Sequence, residues 1–220
     1  MKKKVIIFTS SYKRPLMLRQ CILSVLNQSY PAFHSVNITT DNSMKTKNFD
    51  IVFNDLQNEN LSVIYSDNNH THFNNILAIQ SVPNYLDYDI FIKMDDDDIY
   101  KKDYVKTIVD IFNTTDADVV SSQINWQLNG IILQHGGYNN LGNSSETDMY
   151  KMPMTYAFNR KCLDIIINIK KEENIYHFDD MIWRSFWVKN GMKHIKVNNN
   201  ENIIWNIHGQ NISTGNFLIK

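Results

Sequence analysis

The sequence predicts an α/β fold built on a mostly parallel sheet. Three observations carry this expectation. Apolar runs of about five residues alternate with segments of helical periodicity, the pattern of βαβ units. Runs such as Val5–Thr9 are apolar without interruption, as in strands covered on both faces. The chain has 220 residues, 43% of them hydrophobic, and a formal net charge of −1, which suits one domain with a sizeable core.

Val5–Thr9 is read as the first strand. Ser10–Arg14 is polar, and Pro15 suits a first helical position. Leu16, Leu18, Cys21, Ile22, Val25 and Leu26 then recur at helical spacing. Val36–Thr40 is a second strand, and Phe49, Val52, Phe53 and Leu56 mark a helix. Leu61–Tyr65 is a third strand, Phe73–Gln80 a helix entered from a polar loop, and Asp89–Met94 a fourth strand. Val105, Ile108, Val109 and Phe112 form a helical stripe ahead of a fifth strand at Ala117–Ser121. Parallel crossovers gather the strand C-termini on one edge, where a ligand is expected. That edge collects Thr9–Arg14, Thr40–Ser43, Ser66–His72 and Asp95–Tyr100.

Beyond Ser121 the pattern changes. Residues 125–155 are rich in Asn, Gly and Ser and read as irregular loops with short antiparallel strands, Ile131–Leu133 among them. Tyr138–Asp148 is the best candidate for a mobile loop. Arg160–Ile169 and Asp179–Asn190 read as helices, the second ended by Gly191, and Ile195–Val197 and Ile203–Ile207 as late strands. There are no repeats and no linker that would divide the chain.

The balanced charge offers no basic face for nucleic acid. No apolar stretch approaches the ~18–20 residues of a membrane span. Lys2-Lys3-Lys4 precedes only four apolar residues and no cleavage site, so a cytoplasmic first strand is expected rather than a signal peptide. Cys21 and Cys162 are too few for a disulfide framework or a metal knuckle and are expected to be reduced and structural. Asn occurs 29 times and Ala only 4 times, a background bias that keeps single Asn residues from being read as functional.

Four features carry chemistry. Asp95-Asp96-Asp97-Asp98 follows the strand Ile90–Met94 directly, and four adjacent carboxylates at the end of a buried strand repel one another. A hard divalent cation relieves that repulsion; the plain alternative is a solvated acidic turn. An EF-hand loop fails, because its sixth position falls on Tyr100 and its twelfth on Lys106. Asp179-Asp180 opens a helix, where acids either cap or, beside a sugar site, act as a general base. His208, at the end of an apolar strand, is a structural residue or a nitrogen ligand. Thr9–Pro15 combines hydroxyls, an aromatic ring, Arg14 and a helix start, which suits a diphosphate. It holds no glycine, so it is neither a P-loop nor a dinucleotide fingerprint. The pair His70-x-His72 has metal-ligand spacing but is read in preference as part of an exposed polar loop, and Trp183 and Trp187 are read as core.

In this order the features resemble the family 2-like glycosyltransferases of GT-A fold. Thr9–Pro15 resembles the family's opening "T-x-N-R-P" loop, and Leu18–Pro31 its "L-x-x-x-I-x-S-I-L-N-Q-T-Y-P" helix and turn. Thr40-Asp41-Asn42-Ser43 falls at "D-D-G-S", Met94–Tyr100 at the DxD segment, and Asp179-Asp180 at the "E-D" pair. The resemblance implies a single GT-A domain over 1–220, with residues 1–120 binding nucleotide-sugar and 121–220 forming a small acceptor-side region that carries the base. Thr9, Ser11, Tyr12 and Arg14 would line the nucleotide pocket and Asp41 would contact base or ribose. Asp95 would hold ribose or the metal shell, with Asp96 beside it among the nucleotide-sugar contacts. Asp97 would coordinate Mn2+ or Mg2+, joined by His208, and Asp180 or Asp179 would be the base. Thr40 and Asp179 depart from the family pattern.

The implied activity is metal-dependent transfer of one sugar from a nucleotide-diphosphate donor to a glycan or lipid-linked acceptor. Inversion is expected, although the same sheet hosts retaining enzymes. By family analogy the products are bacterial surface glycans, capsule or lipopolysaccharide, made in the cytoplasm or at the inner face of the membrane. Two other classes stand beside this reading. A nucleotidyltransferase would want a Gly-rich basic first loop, and a non-catalytic nucleotide-sugar or glycan-binding module would need no base at Asp180.

Overall fold

A computed structural model describes residues 2–39, 55–56, 58–67, 71–122, 125–128, 131–133, 155–169, 179–197 and 203–207. The first half runs β1 (Val5–Tyr12), α1 (Pro15–Leu26), β2 (Phe33–Thr39), β3 (Leu61–Ser66), α2 (Thr71–Gln80), β4 (Ile90–Lys93), β5 (Ile99–Tyr100), α3 (Tyr104–Thr114) and β6 (Val119–Ser122). The second half runs β7 (Asn125–Leu128), β8 (Ile131–Leu133), β9 (Tyr156–Asn159), α4 (Arg160–Ile166), α5 (Asp179–Lys189), β10 (His194–Val197) and β11 (Ile203–Ile207).

Among the described residues the main sheet has seven strands in the order β10-β6-β9-β4-β1-β2-β3, with β9 antiparallel to both of its neighbours. The chain winds outward from β1 to β2 and β3, then returns to place β4 on the other side of β1. The carboxyl ends of β1 and β4 are therefore a topological switch point, where open α/β sheets form a ligand crevice. A second sheet, β5-β11-β7-β8, lies beyond the turn that follows β4. β11 runs antiparallel to β5, back toward that turn.

Side-chain alternation along β1 divides the core. Ile6 and Phe8 pack toward α2, α4 and α5, while Val5 and Ile7 pack toward α1 and α3. α1 enters on Pro15 and buries Leu18, Cys21, Ile22 and Val25, one stripe at helical spacing. Leu16, read with that stripe, is instead exposed. α3 buries Val105, Ile108 and Val109 as expected. Both cysteines are free and buried.

α4 ends at Ile166, short of the expected Ile169. β1 continues three residues past the expected Thr9, because Ser10, Ser11 and Tyr12 still pair with β2 after β4 has ended. β9 has no counterpart among the expected strands. It is four residues long and passes into α4 without a turn, since Asn159 both ends it and caps the helix by accepting from the Cys162 N–H at 3.3 Å. Apart from Asp55 and Leu56, the helix read at Phe49–Leu56 lies outside the described residues, as does the loop Tyr138–Asp148.

Among the described residues, Trp183 is the largest fully buried side chain. Its ring centroid lies 6.0 Å from that of Phe8 and 5.7 Å from that of Phe158, so it joins α5 to β1 and β9. Trp183→Ala is expected to cost about 3–5 kcal/mol of stability through lost contacts and the cavity left behind. Urea unfolding measures this, and a loss under about 1 kcal/mol would remove the ring from the core.

Candidate active site

The acidic tetrad turns off the end of β4 and folds beside the overhanging end of β1. The Met94 N–H donates to the Phe8 carbonyl at 3.1 Å, which keeps the two chains together just past their last paired residues. The Asp98 N–H then donates back to the Asp95 carbonyl at 3.4 Å, closing the turn. The buried Tyr100 hydroxyl accepts from the Asp95 N–H at 2.8 Å. Gln28 braces this region from behind. Its amide donates to the Lys101 carbonyl at 2.9 Å and accepts from the Val105 N–H at 3.0 Å, tying the end of α1 to the start of α3.

On the β1 side, a left-handed residue at Lys13 (φ 58°) reverses the chain between strand and helix. Arg14, at the N-cap of α1, thereby comes back over the strand ends. Its Nη2 lies 2.7 Å from Asp96 Oδ1, and its Nη1 pairs with Asp97. The Ser11 hydroxyl donates to the other Asp96 oxygen at 2.5 Å. Lys93, the last residue of β4, places its ammonium 3.3 Å from Asp95. The tetrad is thus partly neutralised from both strands, which answers the repulsion that the sequence poses.

The carboxylates are not equivalent. The Asp96 side chain is 1% exposed, that of Asp97 9% and that of Asp95 25%. Burial pushes Asp96 up to about 7, against the opposing pull of the Arg14 guanidinium and with a further push from Asp97. Burial, joined by Asp98, also raises the Tyr100 phenol well above its ordinary value.

A polar layer extends the site toward β2 and β3. Ser10 donates to Asn75. The Asn74 amide donates to the Thr39 hydroxyl at 2.7 Å and accepts from Ser66 at 2.9 Å, and Asn37 donates to the Asn74 carbonyl at 3.0 Å. The first turns of α2 are therefore fixed against the carboxyl ends of three neighbouring strands. Thr9, expected in the nucleotide pocket, is instead fully buried, with its hydroxyl 3.0 Å from His34 Nε2. Burial lowers His34 to about 3, so the imidazole is neutral at ordinary pH. Asp96, expected among the nucleotide-sugar contacts, is likewise turned inward. Tyr12 remains exposed at the end of β1.

α5 places Asp179 and Asp180 on its first turn, although their side chains lie outside the described residues. The helix is anchored by its next turn. The Trp183 indole N–H donates to His72 Nδ1, and Trp187 donates to the Cys162 carbonyl at 3.2 Å. His72 is 2% exposed within α2, not part of an exposed loop as its neighbours suggest. α2 starts two residues ahead of Phe73, the first apolar residue of its pattern, and this brought His72 inside. Asp41, His70 and His208 lie outside the described residues.

Asp95 and Asp97 offer the hard oxygen donors that suit Mg2+ or Mn2+. Among the described residues, no group of three or more His, Cys, Asp or Glu is arranged to hold a metal ion. Sequence reasoning passed over Lys93, Gln28, Asn74 and Asn75. A lysine inside the apolar run Ile90–Met94, just ahead of four acids, was a readable sign of an internal counter-charge.

A model of the family described as Glycosyl transferase family 2 matches residues 6–171, from β1 through the tetrad to just past α4. The chain belongs to this family. Solved structures place the family member among GT-A folds. S. aureus TarS 1–349 in complex with UDP-GlcNAc aligns with a TM-score of 0.72 at 14% identity, over 96% of this chain and 61% of that one. The mannosyltransferase PcManGT from Pyrobaculum calidifontis, in complex with GDP-Man and Mn2+, aligns with a TM-score of 0.65 at 11% identity, over 94% and 57%. The family 2 chain thus spans about three-fifths of the length of these structures. No curated protein matches its sequence significantly.

Proposed function

We propose that the chain transfers a single sugar from a nucleotide-diphosphate donor to an acceptor hydroxyl, with inversion at the anomeric carbon. The observation that carries this reading is the Arg14 guanidinium spread across Asp96 and Asp97 at the β1/β4 switch point. Such a point is where an open α/β sheet binds its ligand, and a guanidinium fork suits two-point contact with phosphate. The neighbours solved with UDP-GlcNAc and with GDP-Man and Mn2+ support the donor class.

In this reading Tyr12 and Asp41 contact base or ribose, and Asp95 contacts ribose. Ser11 and Asp96, being buried, keep Arg14 in place, and Thr9 packs inside the sheet against His34. Asp97, with Asp95 and His208, would hold Mg2+ or Mn2+, and the bound cation would supply positive charge beside the departing diphosphate. Arg14 adds a preorganised charge to the same leaving group, favouring the state in which the glycosidic bond is breaking. The sugar carbon passes through an oxocarbenium-like state. Asp180, on the first turn of α5, accepts the proton of the incoming hydroxyl from the opposite face.

The product class, a surface glycan of capsule or lipopolysaccharide type, rests on family analogy. The matching place of work is the cytoplasm, with the acceptor at a membrane surface. No helix among the described residues is long and apolar enough to cross a membrane.

A thermal-shift screen of nucleotide sugars with and without Mn2+ tests the reading. One nucleotide class is expected to raise Tm in a metal-dependent way, with stabilisation near 2.7 kcal/mol at about 100 times Kd. Absence of a shift with every donor overturns the reading. Metal-dependent binding with neither hydrolysis nor transfer would replace it by a non-catalytic nucleotide-sugar-binding module.

A further inference from the structure

The two ends of the Arg14 guanidinium sit in different surroundings. Nη2 meets Asp96, which is closed from solvent and whose second oxygen is occupied by the Ser11 hydroxyl. That end is a buried ion pair in the seam between β1 and β4, without the hydrogen-bond geometry that Nη1 has toward Asp97. Nη1 meets Asp97, the more open carboxylate of the pair and the one assigned above to the cation. A cation and a guanidinium on the same carboxylate compete for its oxygens and repel each other. Once Asp97 is taken, Nη1 needs another anionic partner, and the donor's diphosphate is anionic and suited to a guanidinium fork.

We propose that Arg14 is the resident counter-ion of Asp97 and passes from that carboxylate to the diphosphate as cation and nucleotide bind, with Asp96 as the fixed pivot. The proposal rests on the glycosyltransferase reading and adds to it an order of events. The cation alone binds weakly, because it must displace Arg14 without offering it a new partner. With a nucleotide diphosphate present the displaced donor is satisfied, so each ligand tightens the other by the same factor. Asp96 is a positioning residue in this scheme, acting only through Arg14.

The test is Mn2+ binding to the full chain, followed by the EPR signal of free Mn2+, alone and with saturating UDP or GDP. For the unaltered chain, one of the two nucleotides is expected to tighten Mn2+ about tenfold or more, the scale of one charged hydrogen bond. Arg14→Gln is expected to bind Mn2+ alone about tenfold tighter and to lose the nucleotide effect. Because R14Q leaves Asp96 buried without Arg14, the double variant R14Q/D96N, which removes both charges, is measured in parallel with the same expectation. Asp96→Asn alone is expected to leave Mn2+ weak and to diminish the nucleotide effect.

Unchanged or weaker Mn2+ binding in both R14Q and R14Q/D96N overturns the exchange. An undiminished nucleotide effect in D96N overturns the pivot. Tighter Mn2+ in the Arg14 variants, with no nucleotide binding by any form of the chain, would uphold the counter-ion role and overturn the donor reading, so the two failures are separable.

Discussion

Asp97→Ala is expected to lower transfer by roughly 10²–10³-fold while leaving the fold intact. Asp97 is the tetrad carboxylate that combines an Arg14 contact with an opening to solvent. Removing it deletes a hard oxygen donor and frees Nη1, but Nη2 stays on Asp96, so no buried charge loses its last partner. The structural cost is therefore small, on the order of 1 kcal/mol, comparable with one net hydrogen bond. Steady-state kinetics at rising Mn2+ concentration, with urea unfolding in parallel, separate the two effects. Turnover near that of the unaltered chain, at ordinary Mn2+, would remove Asp97 from the site.

The strands that position Asp97 were legible because β1 and β4 are covered on both faces, which writes them as unbroken apolar runs. The tetrad was legible because four adjacent acids after such a run have few physical solutions. The direction of each side chain was not legible. Strand periodicity stops where β4 ends, so nothing in the order Asp95-Asp96-Asp97 says that the middle carboxylate turns inward to Ser11 and Arg14. The direction of Thr9 was not legible for a related reason. A threonine near a strand end reads as a ligand contact, yet β1 runs on to Tyr12 and keeps Thr9 inside, against His34. The Asn37, Asn74 and Asn75 contacts were masked by composition, since Asn is common throughout the chain. β9 was missed because four residues flanked by a helix cap carry neither alternation nor a turn signal, although the strand lies inside the sheet between β6 and β4. His72 shows how a helix start displaced by two residues converts an apparent loop histidine into the partner of Trp183.

Asp180→Asn is expected to lower transfer by about 10²–10⁴-fold, the range for loss of a general base, with donor affinity unchanged. The placement of α5 makes this a sharp comparison. Trp183 and Trp187 hold the helix in the core one and two turns after its start, so neither acid is needed to fix the helix axis. Asp179→Asn therefore isolates the capping alternative: it should cost about 0.3–1 kcal/mol of stability, the usual value of an acid at a helix N-terminus, and change turnover only severalfold. Asn in place of Asp keeps shape and hydrogen bonding but cannot accept a proton, so a base variant should also lose the acid limb of the pH profile of kcat/KM. If Asp179→Asn shows the large loss and Asp180→Asn the small one, the base is Asp179. If both variants turn over normally with the acid limb preserved, α5 carries no base, and deprotonation of the acceptor must come from another residue. An effect that appears in donor KM rather than kcat would instead tie the pair to donor binding, and the contrast with Asp97→Ala, whose loss depends on Mn2+ concentration, tells these apart.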